Sequence, residues 1–428
     1  MKPILQLALD FVDLKRALKN AKAGIAGGVD WIEAGTPLIK SEGLQSIREL
    51  RRLFPQTTIV ADMKIMDTGR VEVEAAAKAG ANVVDVLGAA SDATIRECIQ
   101  AGKNYGASIV VDMIAVEDVL TRARFVEELG ADYVTVHCAV DEQMEGKDPF
   151  EALRRVSQAL SIPVGVAGGI NSETAAQAVA AGATIVIVGG AISKAVDPEQ
   201  AAREIRRSLD TGVSISTTLF KRKGEEQIRE ILEQVSAANL SDSLHRGGVL
   251  QGIRPLFPGI RMLGRAVTVR TYPGDWAKPV QAIDVAEPGD VIVIDAGGVG
   301  PALWGELATH SALQRGLAGV VIDGALRDSD DIISLRFPAF SRLVMPNAGE
   351  PKGFGEIGVP VTVGGVRVDP GDWLLGDGDG VVVLPRTMAT EYGNRAMDVL
   401  EKENRIREEI KEGSTLSKVT ELLRWEKK

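Results

Sequence analysis

Residues 59–69 read IVADMKIMDTG, an apolar run that ends in Asp62, Lys64 and Asp67. Other short apolar runs also end in ionisable groups. Asp10 follows ILQLAL, Glu33 follows VDWI, Asp85 lies within VVDVL, Asp112 follows SIVV and His137 follows YVTV. Charges gathered at one place are costly to bury and are usually kept because a metal ion or a charged substrate completes them. Glu33 and Asp62 form the pair suited to Mg2+, which prefers oxygen ligands and keeps several waters. A divalent cation and an ammonium such as Lys64 can together stabilise an enediolate, the anion formed beside a carbonyl, while His137 could carry the proton. Two glycine turns, AGGI (167–170) and VGGAI (188–192), present Gly168, Gly169, Gly189 and Gly190. Backbone N–H groups in such turns hold phosphate. The set describes a phosphorylated small substrate, a divalent cation and a lysine.

Each of these residues also has a purely structural reading. A single acid at a strand end is often a helix N-cap, and Asp92 and Asp118 are assigned that role. Asp85 and Asp112 fit a capping or orienting role as well as a chemical one. His137 alone could be a satisfied core histidine. Cys138 beside it suggests a nucleophile, but enediolate chemistry needs no thiol.

A second concentration of chemistry lies in DAGGVGPALWGELATHSALQRGLAGVVIDGALRD (295–328). The turn with Gly297 and Gly298 follows a strand pattern and precedes a helix pattern, so free N–H groups there could hold an anion. Arg327 offers a planar fork for a carboxylate, Asp328 could hold a metal, and Glu306 begins the helix opposite. The plain alternative is a glycine-rich turn with a surface ion pair. His245 and His310 are single histidines, read as structural or surface.

The elements that must position the first set follow a rhythm of about twenty-five residues. The runs are 4–9, 29–32, 58–61, 83–87, 108–111, 133–136, 162–166 and 184–188, each β-branched and too short for a helix. Helical patterns lie between them, as in Leu14, Leu18, Ala21 and Ile25. Phrases such as AGGVD, AKAGAN, ELGAD and AAGAT put glycine at helix ends, where a left-handed cap is needed. Eight such units imply a parallel (β/α)8 barrel over residues 1–210, whose chemistry sits at the C-terminal strand ends. Alternation along the strand points Asp62 and Lys64 the same way, into the mouth, with Asp67 further out on the loop. Residues 211–218, rich in Ser and Thr, read as a linker. Residues 219–428 read as a second α/β domain. Strands are expected at LGRAVTVRT, DVIVIDA, AGVVIDG and PVTVGGVRV, with a pair around DWLLGDGDGVVVLP. A helical pattern begins at KGEEQIREILEQVSAANLSDSL, and 387–412 form a long charged helix before a polar tail.

A chain of 428 residues is comfortable for two domains. A net charge of −10 argues against a general nucleic-acid or anionic-membrane surface. Two cysteines make no disulfide framework, and no signal-peptide core or bilayer-spanning run is present. A cytoplasmic protein is expected.

QLALD (6–10), IEAGTPLIKSEG (32–43), ADMKIMDTG (61–69), VDMIAV (111–116), VHCAVDEQ (136–143) and the two glycine turns resemble the hexulose-6-phosphate synthases of the orotidine-monophosphate decarboxylase suprafamily. The resemblance covers residues 1 to about 210. It implies a TIM barrel and Mg2+-dependent aldol addition of formaldehyde to ribulose 5-phosphate. It makes Glu33 and Asp62 metal ligands, Lys64 the electrophile and His137 the proton carrier. Asp10 would bind the sugar or position Lys64, and Asp67 would reach across a dimer interface. A sister activity, decarboxylation of 3-keto-gulonate 6-phosphate, goes with an arginine where this chain has Val140. The Cys138-Ala139-Val140 stretch also departs from the Ala-Gly-Tyr common in synthases.

Residues 219–428 resemble the RraA-like family through SDSL (241–244), the glycine turn, VIDGALRD and the GD…GDGDGVVVLP ending. That family includes ribonuclease E regulators and metal-dependent pyruvate aldolases. Its aldolase pattern is an acid, twenty intervening residues, then Arg-Asp, which Glu306, Arg327 and Asp328 fit with glutamate for the usual aspartate. The resemblance implies Mg2+ or Mn2+ on Asp328, a 2-oxo acid around Arg327 and the glycine turn, and trimeric contacts. It leaves two roles open: a lyase acting on 4-hydroxy-2-oxo acids or oxaloacetate, or a regulatory or scaffolding module.

Overall fold

The structure, a computed structural model, describes residues 2–217, 222–411 and 413–420. The chain divides into two compact units, Met1–Gln143 with Lys147–Lys221, and Met144–Gly146 with Arg222–Lys428.

In the first unit eight parallel strands close a barrel in sequence order. They are β1 (Ile4–Leu9), β2 (Trp31–Ala34), β3 (Thr58–Ile65), β4 (Val83–Leu87), β5 (Ser108–Asp112), β6 (Tyr133–His137), β7 (Val164–Ala167) and β8 (Ile185–Val188). All eight expected strands are present. The helices between them end in left-handed glycines at Gly28, Gly80, Gly130 and Gly182, which turn the chain back without the steric clash a Cβ would bring. Asp118 caps the helix Val119–Leu129 by accepting from Thr121 N. Asp92 does not cap its helix, because Ser91, one residue earlier, accepts the Thr94 N–H. Asp92 instead pairs with Arg122 at 2.6 Å.

Strand alternation sorts the barrel into two environments. Ile59, Ala61, Val84, Val86, Ile109 and Val111 face outward into one large core with the helices. Val60, Val83 and Val110 face inward and pack with Trp31 and Tyr133 as an apolar plug. One step of alternation further along β2 to β5 come Glu33, Asp62, Asp85 and Asp112. All four are buried, at 8%, 6%, 8% and 1% exposure. An acidic layer therefore stands directly on an apolar floor.

The expected linker is ordered against the barrel. Ile215 N donates to Ser172 O, Ser172 Oγ to Ile215 O, and Thr217 N to Glu173 Oε1. Position 218 lies outside the described residues.

The second unit is built on a mixed nine-stranded sheet. Its strands are β9 (Arg254–Pro255), β10 (Met262–Arg270), β11 (Val291–Asp295), β12 (Ala302–Trp304), β13 (Gly319–Leu326), β14 (Ala339–Val344), β15 (Glu356–Ile357), β18 (Trp373–Asp377) and β19 (Gly380–Leu384). The main path runs β19-β18-β10-β11-β13-β14-β9, with β12 beside β13 and β15 beside β10. PVTVGGVRV forms a separate hairpin, β16 (Val361–Val363) with β17 (Val366–Val368). Gly364 and Gly365 both take positive φ at its turn, as a tight two-residue hairpin requires. β9, β12, β14 and β15 were not expected from sequence: β9, β12 and β15 are very short, and in β14 Ser341 and Arg342 interrupt the apolar run. The helical pattern from 223 to 244 breaks into Ile228–Leu232 and Ala237–Ser243, the second restarted by a Ser236–Asn239 capping box. The long charged helix runs Ala389–Lys411. Of the tail, residues 421–428 lie outside the described residues. No described helix is long and apolar enough to cross a membrane.

Candidate active site

The barrel mouth gathers most of the expected residues. Lys64 is the central one, and its backbone is unusual. The β3–β4 ladder shifts register between Ala61 and Ile65, and Lys64 takes a left-handed φ of 46°. Simple alternation therefore does not aim this side chain; the irregularity does. Its ammonium lies 3.0 Å from Asp62 Oδ1 and 3.1 Å from Asp112 Oδ2. Burial alone would lower the Lys64 pKa, but Asp62, Asp85 and Asp112 together hold it well above the ordinary range. It stays charged at any working pH.

Asp112 ties the mouth together. Its Oδ2 takes both Lys64 and His137 Nδ1, the latter at 2.7 Å, and its Oδ1 accepts from Ile114 N at 2.9 Å. Burial pushes its pKa up, yet the His137 hydrogen bond, the His137 and Lys64 charges and the Ile114 N–H outweigh this and hold it below the usual value. A carboxylate facing Nδ1 selects the tautomer with its proton there, which leaves Nε2 to act as base. These contacts are those of an orienting partner, one of the readings that sequence left open for Asp112. The Sγ of Cys138, next to His137, is buried and lies 3.6 Å from Lys147 O.

Asp62 is fixed from its other side. Thr36, at the start of the helix Thr36–Glu42, donates N–H and Oγ1 to Asp62 Oδ2 at 3.1 and 2.6 Å. Gln6 Nε2 donates to Glu33 Oε2. Neither Thr36 nor Gln6 stood out in the sequence, because a threonine after a strand and a glutamine within one carry no spacing signal. Glu33 is pushed well above the carboxylate range by burial, then by Asp62 and Asp10. Asp85 is raised likewise, by burial, then by Asp112 and Asp62.

Asp10 keeps an exposed edge at the mouth. Protein atoms still crowd its carboxylate, and that desolvation, followed by Asp62, raises its pKa. A Cβ on Gly35 would stand 2.3 Å from Asp10 Oδ1, so the close approach there needs glycine. Gly168 and Gly169 follow β7 with φ of 107° and 71°, and a Cβ on Gly168 would meet Cys138 O at 2.4 Å. Gly189 and Gly190 follow β8, with Gly190 opening the turn of helix Gly190–Ser193. Asp67 stands apart. It is exposed on the loop after β3, its Oδ1 accepts from Thr68 N at 2.7 Å, and no ion pair joins it to Lys64 among the described residues.

Among the described residues no three or more His, Cys, Asp or Glu converge as a metal cage. Mg2+ does not require one, since it is commonly held by one or two carboxylates and waters. Glu33 and Asp62 fit that pattern: two buried hard oxygen donors, with Glu33 raised first by its burial and then by the neighbouring Asp62.

In the second unit the expected residues meet only in part. Asp328 Oδ2 accepts from Glu306 N at 3.1 Å and lies 3.5 Å from Arg327 Nε. Gly305 permits this, since a Cβ there would stand 2.5 Å from Asp328 Oδ2. The Glu306 carboxylate faces His310 Nε2 at 3.1 Å, so His310 has a partner that the sequence did not suggest. The glycine turn differs from expectation. It leads into β12 before the helix Glu306–Gln314, and the N–H groups of Gly297 and Gly298 are not free, because Gly297 donates to Asp295 Oδ1 and Gly298 to Asp323 O. Beside Gly298 lies an unanticipated ion pair between Asp323 and Arg342. Arg342 interrupting the apolar run of β14 was its available signal.

Residues 3–205 match the family described as orotidine 5'-phosphate decarboxylase / HUMPS family, and residues 237–383 match RraA-like, Aldolase/RraA. The chain is 38% identical over 209 residues to 3-hexulose-6-phosphate synthase of Bacillus subtilis, which spans 49% of this chain and 99% of the relative. The crystal structure of 3-hexulose-6-phosphate synthase from Salmonella typhimurium is 40% identical, covering 50% of this chain and all of that one, with a TM-score of 0.48. The RNA-processing inhibitor RraA from Thermus thermophilis is 32% identical, covering 36% of this chain and 93% of that one, with a TM-score of 0.34.

Proposed function

Since the chain belongs through its first half to the orotidine 5'-phosphate decarboxylase / HUMPS family, we propose that this half is a 3-hexulose-6-phosphate synthase. It adds formaldehyde to D-ribulose 5-phosphate. The observation that carries this is Asp112 holding Lys64 and His137 on one oxygen. The base and the electrophile are thereby set side by side. His137 Nε2 removes a proton from C1 of the sugar phosphate, and the Lys64 ammonium meets the enediolate charge. C1 then attacks the formaldehyde carbon, and the new alkoxide takes its proton from His137. The phosphate rests in the turns of Gly168, Gly169, Gly189 and Gly190. Glu33 and Asp62 would hold Mg2+ or Mn2+, which supplies further positive charge for the enediolate when bound. Val140, exposed at the start of the helix Val140–Met144, brings no cation for a substrate carboxylate. That favours the synthase over the keto-gulonate decarboxylase reading. The test is formaldehyde-dependent consumption of ribulose 5-phosphate with Mg2+. Asp62→Ala and Lys64→Ala should each lose at least about 1000-fold in rate, and activity near wild type in either contradicts the assignment.

For the second unit we propose weak, metal-dependent lyase activity on a 2-oxo acid, with Asp328 holding the cation and Arg327 meeting the enolate oxygen. The adjacency of Arg327, Asp328 and Glu306 supports this. The occupied N–H groups of Gly297 and Gly298 are the reason to expect weakness. Oxaloacetate decarboxylation should be lost in Arg327→Ala and unchanged in Lys64→Ala. A rate no higher than that of free metal would favour the regulatory or scaffolding role.

A further inference from the structure

Asp85 meets no reacting atom in the chemistry just described beyond adding to the negative field around Lys64, yet it is buried at a costly position. It stands on the apolar plug, one alternation step above Val83, in the layer shared by Glu33, Asp62 and Asp112. Each of those three has a protein partner: Gln6 bonds Glu33, Thr36 bonds Asp62 Oδ2, and Lys64, His137 and Ile114 hold Asp112. Asp62 Oδ1 accepts no hydrogen bond but lies 3.0 Å from the Lys64 ammonium as an ion pair. Asp85 Oδ1 has no partner, although the residue is only 8% exposed. A buried carboxylate oxygen without a partner opposes folding, and such atoms in functional sites are kept for something that arrives later. The barrel order fixes where that something lies. β4 stands across the closed barrel from β8, so a substrate whose phosphate rests on Gly189 and Gly190 points its other end toward Asp85.

We propose that Asp85 is a substrate-binding, specificity-determining residue whose free Oδ1 accepts a hydrogen bond from the C1 hydroxyl of the sugar phosphate. The inference rests on the synthase reading for the identity of the sugar, and on the phosphate lying at β7 and β8. The contact makes the floor of the pocket selective for a hydroxymethyl ketone end over a methyl ketone. A pocket that has to satisfy a buried acceptor rejects a ligand lacking the matching donor far more strongly than an apolar pocket rejects an extra hydroxyl.

Equilibrium binding to the full-length protein with Mg2+ and without formaldehyde tests this independently of turnover. The probes are ribulose 5-phosphate and its 1-deoxy analogue. In the wild type the analogue should bind about 10-fold or more weakly than ribulose 5-phosphate. In Asp85→Ala the two ligands should bind within about 2-fold of each other, because the partner of the missing hydroxyl has gone. Asp85→Asn retains an acceptor oxygen and should keep most of the discrimination. The Mg2+ dissociation constant, read in the same binding assay, should stay within about 2-fold in both variants. Melting temperature should not fall in Asp85→Ala, since a buried carboxyl oxygen without a hydrogen-bond partner is removed. Equal discrimination in wild type and Asp85→Ala overturns the proposal. So does a change confined to the Mg2+ constant, which would make Asp85 a cation ligand. Lost affinity for both ligands together with a lowered melting temperature would mark a structural role and also overturns it. Binding that discriminates as expected, in a protein that forms no hexulose phosphate, would refute the synthase reaction and leave the contact standing.

Discussion

Asp112 shows how one side chain sets the chemistry of two others. Its Oδ2 fixes the Lys64 ammonium and the His137 tautomer together. Asp112→Asn keeps the shape and loses the charge, so its amide can leave His137 in the wrong tautomer. We predict a fall in kcat on the order of 100-fold with KM changed little, read by steady-state kinetics. The same residue predicts a pH dependence. The folded state holds Asp112 below its ordinary 3.8, so it binds that proton less readily than the unfolded chain does. The stabilisation is present above that value and is lost as pH falls through the lower folded value. Asp112→Asn should therefore flatten the acid limb of melting temperature against pH; an unchanged limb would contradict the assignment. At this scale the sequence displayed residue types but not pairings. Asp10, Glu33, Asp62, Lys64 and His137 were legible because each ends an apolar run. Asp112 stood equally at a strand end, but nothing in one dimension told a capping or orienting carboxylate from one that takes part in the chemistry. Thr36 and Gln6 were invisible for the same reason.

At the scale of elements, strands and their ends were legible because β-branched runs and glycine caps are local signals. Irregular backbone was not. The register shift between Ala61 and Ile65 and the left-handed Lys64 arise from how β3 pairs with β4, which spacing cannot encode. In the second unit β14 was missed because Ser341 and Arg342 break its apolar pattern, and the glycine turn was misjudged because the partners of the Gly297 and Gly298 N–H groups lie on β11 and β13. The turn after β7 yields a sharper expectation. Gly168 has φ 107°, and a Cβ there would meet Cys138 O at 2.4 Å. Gly168→Ala should destabilise the barrel by about 1–3 kcal/mol. It should also raise KM for the sugar phosphate about 10-fold through the displaced phosphate turn. Thermal melts and saturation kinetics check both. Unchanged KM would remove the turn from the phosphate site.

At the scale of the molecule, the repeat of strand and helix made the barrel legible, and the loss of that rhythm announced a second unit. The polar stretch between them looked like a linker because composition records solubility, not docking. Residues 215 and 217 are bonded to residues 172 and 173. A fragment ending at 217 should therefore melt about 2–4 °C above one ending at 210. Equal melting temperatures would show that the bonds add nothing. The central claim is the carbon–carbon bond formed at the barrel mouth. It is tested most directly by incubating the full-length protein with 13C-formaldehyde, ribulose 5-phosphate and Mg2+, and following the label by NMR. The account predicts that the label appears at the hydroxymethyl C1 of a 3-hexulose 6-phosphate, and that no label is incorporated with Lys64→Ala. Label left wholly in formaldehyde with the wild-type protein, or incorporated equally by Lys64→Ala, would contradict it.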